Sequence, residues 1–81
     1  MNIKLEFNKG DHVKFYSCGD LICGYIVGFM WTGHCYLKKP ILYAILEEEY
    51  YENYKKSIDK NESPFNFYFR WRPSNKIRLI N

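Results

Sequence analysis

At 81 residues the chain has room for one domain, and its 47% hydrophobic and 20% aromatic content supplies a core dense enough to fold without disulfide staples. Three cysteines do not pair off into a secreted disulfide framework, no apolar run approaches the roughly 20 residues of a membrane span, and residues 1–6 lack the apolar core and cleavage site of a signal peptide. The expectation is a cytoplasmic protein with no membrane contact. Its net charge of +3 is spread unevenly, at +2 over residues 1–46, −3 over 47–62 and +4 over 63–81.

Gly10-Asp11 precedes His12-Val13-Lys14-Phe15-Tyr16-Ser17, where Val13 and Phe15 alternate with His12, Lys14 and Tyr16, so a first strand is predicted. Cys18-Gly19-Asp20 has turn chemistry. Residues 21–31 are apolar on both parities and interrupted by Gly24 and Gly28, which suits a long, buried strand with a glycine bend or bulge. A third strand is expected over residues 35–46, broken near Lys38-Lys39-Pro40 because proline gives no ladder hydrogen bond. Residues 47–60 differ: Tyr50, Tyr51, Tyr54 and Ile58 recur at helical spacing, with glutamates early and lysines late, as a helix dipole favours. A helix is predicted there, an extended acidic loop being the alternative.

Phe65-Asn66-Phe67-Tyr68-Phe69-Arg70-Trp71-Arg72 alternates strictly at period two. Read as a fourth strand, it turns the rings of Phe65, Phe67, Phe69 and Trp71 inward and sends Tyr68, Arg70 and Arg72 out to water. Pro73-Ser74-Asn75 forms a short connection to a fifth strand over residues 76–80.

Gly10-Asp11-x-Val13, the bent Gly24-Tyr25-Ile26-Val27-Gly28 strand, two further strands and a short turn into Ile77-Arg78-Leu79-Ile80 resemble the small five-stranded barrels of the Src-homology-3, Tudor and KOW type. The resemblance covers most of residues 7–80 apart from an insertion at 47–63. It implies a mainly β, antiparallel five-stranded Src-homology-3-like barrel as a single domain over 1–81, and a binding module for peptides, modified side chains or nucleic acid rather than a catalyst. The acidic first loop followed by paired aromatics that marks the peptide-binding branch is missing, so proline-rich ligands are not expected.

Cys18, Cys23, His34, Cys35 and His12 are zinc-type ligands, but their spacing matches no knuckle and adjacent strand residues point apart, so no metal or other cofactor is expected. A Cys–His dyad lacks a fixed third partner, and Glu47-Glu48-Glu49 lacks the apolar surroundings that raise a carboxyl pKa; no enzyme activity is expected. An aromatic cage from Tyr16, Trp31, Tyr36 or Tyr43 is a further arrangement the composition permits.

Two surfaces remain. Glu47, Glu48, Glu49, Tyr50, Tyr51 and Tyr54 form an acidic-aromatic element suited to docking on the basic groove of another protein. Small size and codons typical of an AT-rich bacterial or viral genome make a phage- or mobile-element inhibitor of a host nuclease or transcription enzyme the concrete version. The alternative is nucleic-acid binding by Tyr68, Arg70, Arg72, Lys76 and Arg78. A protein partner is the first expectation and nucleic acid the second; a monomer or a homodimer paired through strand edges fits either.

Overall fold

The computed structural model describes residues 5–32, 41–61 and 67–80. Strand β1 (His12–Ser17) pairs antiparallel with β2 (Asp20–Trp31), which pairs with β3 (Ile41–Glu47). Helix α1 (Glu48–Asp59) follows, then β4 (Arg70–Pro73) on the free side of β3, a 3-10 turn at Ser74–Lys76, and β5 (Arg78–Leu79) on the free side of β1. The strand order is β4-β3-β2-β1-β5 in one antiparallel sheet. That sheet is mainly β and five-stranded, as expected, but it is not closed into a barrel: β4 and β5 stand at opposite edges of the order.

The Gly10-Asp11 signal has a definite job. Gly10, at φ +90°, donates its N–H to the Ile26 carbonyl (2.8 Å), and the Asp11 carbonyl accepts from the Ile26 N–H (3.0 Å). The Asp11 carboxylate then accepts from the Asn8 N–H at 2.8 Å, so the loop is fastened to the middle of β2 before β1 begins. Between β1 and β2 lies a two-residue turn with Cys18 at φ +52°, the primed hairpin geometry that matches strand twist.

β2 slips register between Ile26 and Gly28, which is the bulge its glycines suggested. Gly24 meets a separate constraint, because a Cβ there would lie 2.4 Å from the Leu46 carbonyl oxygen. β2 is not buried along its whole length: Phe29, Met30 and Trp31 at its end are about half exposed. The expected strand over residues 35–46 is seen from Ile41; its earlier part lies outside the described residues.

Phe7, Val13, Phe15, Ile26, Tyr43, Ile45 and Ile77 form the core on one face of the sheet. The N–H of Glu6 donates to the Tyr43 hydroxyl at 2.9 Å, satisfying that buried phenol. On the opposite parity of β3, Ala44 and Leu46 are also buried. Their face carries α1: Tyr51 stacks on Tyr25, the register partner of Leu46, with centroids 4.1 Å apart.

The fourth strand departs from its sequence reading. β4 covers Arg70–Pro73, not residues 65–72; residues 67–69 are not strand, and Phe65 and Asn66 lie outside the described residues. Its facing is also reversed. Arg70 and Arg72 sit opposite Ile45 and Tyr43, two core residues, while Trp71 sits opposite Ala44 and is 39% exposed. The rings still share a face, but it is the helix face, where Phe67 and Phe69 pack edge-on against Tyr54. Because β3 is buried on both sides, either facing of β4 covers apolar surface. On an edge strand, arginine stems can lie over the core rim while their guanidinium ends reach water.

Candidate functional site

Strand periodicity places Lys14 and Tyr16 outward on β1, alternating with the buried Val13 and Phe15. β5 returns beside them with Arg78 directly opposite Lys14, so two cations share one face of an antiparallel pair. Like charges directly opposite one another destabilise such a pair. The 3-10 turn adds Asn75 and Lys76, both exposed, and is held down by buried Ser74 and Ile77.

Arg72 reaches this region from the far edge of the sheet. Its guanidinium carbon lies 5.2 Å from the centroid of the Phe15 ring. Nη1 donates to the Trp71 carbonyl at 2.8 Å and Nη2 to Ser17 Oγ at 3.4 Å. One side chain thus bridges β4 and β1 across the open side of the sheet.

The result is a groove of about 640 Å³ lined by Tyr16, Arg72, Pro73, Asn75, Lys76 and Arg78. A smaller hollow of about 210 Å³, lined by Lys14, Phe15, Tyr16, Leu21, Lys76 and Arg78, adjoins it. Neither lining contains an aspartate or glutamate. Among the described residues, the carboxylate ion pairs involve His12, Lys55 and Arg70, and none involves Lys14, Arg72, Lys76 or Arg78. Four cations beside an exposed tyrosine, uncompensated by acid, make a site that attracts a polyanion and offers a ring for stacking. A cleft of about 420 Å³ between α1 and the Lys9-Gly10 loop carries Lys9, Lys55 and Asp59, so it lacks such a one-signed lining.

The sequence-derived cationic set divides here. Arg72, Lys76 and Arg78 line the groove, whereas Tyr68 and Arg70 do not. Tyr68 is 73% exposed and pairs with Arg70, whose guanidinium carbon is 5.1 Å from the ring centroid. Arg70 Nη2 lies 3.8 Å from Glu47 Oε1, and its Nε is buried without a partner. Its contacts are thus with Glu47 and Tyr68, away from the groove. Tyr16 belongs to the groove and Lys14 to the adjoining hollow, and neither was in the predicted set; the alternation of β1 marked them as outward, but only the return of β5 shows what they stand beside.

The acidic-aromatic element is largely occupied with holding the fold. Glu47 faces Arg70, Glu48 Oε1 meets His12 Nε2 at 2.7 Å, Tyr51 stacks on Tyr25, and Tyr54 packs on Phe67 and Phe69. Glu49 and Tyr50 remain on the exposed surface, where the Glu49 charge and a side-chain hydrogen bond to it raise the Tyr50 pKa. Of the zinc-type ligands, His12 is engaged by Glu48 and Cys18 sits in the hairpin turn, while His34 and Cys35 lie outside the described residues. Tyr43, offered above as a cage wall, is a core residue.

No family model matches this chain, and searches of curated proteins and of solved structures likewise return no match. Among the described residues, no helix is long and apolar enough to cross a membrane.

Proposed function

We propose that the protein is a non-catalytic, cytoplasmic binding module that holds nucleic acid along the groove and adjoining hollow lined by Lys14, Tyr16, Arg72, Lys76 and Arg78. Its sheet is read as an opened form of the Src-homology-3-like barrel. Support comes from β5 returning to β1, the 3-10 turn before it, and the Arg72 bridge over the remaining gap. One observation carries the functional reading: Lys14 and Arg78 face each other in register with no carboxylate ion-paired to either among the described residues. A phosphate backbone relieves that repulsion and releases its own counterions on binding.

Fluorescence anisotropy with a labelled oligonucleotide tests it. If all four cations meet phosphates of a single strand, log Kobs falls against log salt with a slope of about −3. Lys76→Glu with Arg78→Glu, both at exposed positions, should weaken binding at least tenfold with unchanged circular dichroism. Undetectable binding at low salt, or binding indifferent to this double reversal, overturns the proposal.

A protein partner is the second reading, supported by Glu49 and Tyr50, which are exposed like Glu48 but, unlike it, are not engaged with His12. Under it, Glu49→Lys with Tyr50→Ala releases a partner captured from the native host and the groove reversals do not.

A further inference from the structure

Resting on the nucleic-acid reading above, we propose that the groove selects single strands over duplexes and that one base stacks on the ring of Tyr16. Tyr16 is 72% exposed, although its aromatic neighbour on the same strand, Phe15, is buried in the core. It lines both the main groove and the adjoining hollow, with Lys76 and Arg78 shared between them. Leu21, the register partner of Tyr16, is 51% exposed and lines the hollow beside the ring. A flat apolar surface flanked by cations on one side is what an unpaired nucleotide requires: a ring face for the base and positive charge for the phosphates on either side.

A duplex uses the same surface less fully. Its bases are already stacked on one another, so the Tyr16 ring has no partner and only the phosphate contacts remain. Elements able to enter a duplex groove would be a helix or a two-stranded ribbon. Helix α1 exposes Glu48, Glu49, Glu52 and Asp59 against Lys55 and Lys56, and the tip of the β1–β2 hairpin is Cys18-Gly19 followed by Asp20. The helix is therefore acidic on balance, and the hairpin tip carries no cation.

The test compares a single strand of about 12 nucleotides, as DNA and as RNA, with the matching duplexes at one salt concentration. The expected result is single-strand binding in at least one sugar series, at least tenfold tighter than to its duplex. Tyr16→Ala should weaken the single strand by roughly 5- to 150-fold and leave the duplex unchanged, while Tyr16→Phe retains wild-type affinity. Inorganic polyphosphate, which has charge and no bases, should compete equally against wild type and Tyr16→Ala on a per-affinity basis. Equal or tighter duplex binding, or a Tyr16→Ala variant that holds single strands as wild type does, overturns the stacking proposal and leaves the cationic groove standing. Loss of all binding modes in the wild-type protein overturns both.

Discussion

Gly24 and Gly28 lie on the same strand yet answer to different constraints. A Cβ at position 24 would meet the backbone oxygen of Leu46 at 2.4 Å, an atom that cannot turn aside; at position 28 it meets nothing within 4 Å. Gly24→Ala should therefore lower stability by about 3 kcal/mol, and Gly28→Ala should leave it unchanged or raise it by about 0.5 kcal/mol through the unfolded chain. Urea unfolding of the pair checks both. Tyr50 offers a test by pH. Glu49 raises its pKa, first by charge and then by a hydrogen bond, so the folded protein holds that phenolic proton more tightly than the unfolded chain does. Any stability linked to it is full below the ordinary tyrosine value of about 10 and is lost as pH climbs past it. In Glu49→Gln the Tyr50 ring resonances should titrate at lower pH than in wild type; an unchanged titration would show that the two side chains do not interact in solution.

At the scale of elements, α1 is docked by rings rather than by a deeply buried apolar stripe, for none of its residues is fully buried. Lys55 lies 5.1 Å from the Tyr51 centroid, Tyr51 stacks on Tyr25, and Tyr25 stacks on His12 at 4.6 Å. His12 in turn meets Glu48 at the start of the same helix. A Tyr25→Ala and Tyr51→Ala double-mutant cycle should return a coupling of about 1 kcal/mol; additive losses would mean that the stack contributes no more than its buried area. The periodicity of residues 47–60 located this helix within a residue at each end, and β1 and its turn were equally legible, because local spacing and turn chemistry agree there. β4 was not. Alternation says that its rings and guanidinium groups part company, but not which set faces the core, since β3 is buried on both sides and α1 supplies a second apolar surface. Facing was decided by the packing of residues 67–69 on α1, which follows β3 directly but is separated from β4 by an intervening stretch of chain.

Taken whole, the molecule is a sheet with an open side, and the cations gather where that side is bridged. Charge distribution indicated a basic C-terminal region, and alternation along the chain indicated a mainly β fold. They could not indicate that Lys14 and Tyr16 of the first strand join it, because that depends on β5 pairing with β1 across the length of the chain. Arg72 has two tasks, anchoring β4 to Ser17 and Phe15 and charging the groove, so Arg72→Ala should lower both stability and oligonucleotide affinity. Arg70→Met should change affinity by less than twofold, since Arg70 lies off the groove beside Glu47. Chemical-shift mapping of the amide spectrum during titration with a short single-stranded oligonucleotide decides whether the groove is the binding surface. Perturbations are expected on residues 14–17 and 72–78, with α1 silent. Perturbations centred on Glu49 and Tyr50, or a spectrum that does not move, would contradict the groove reading.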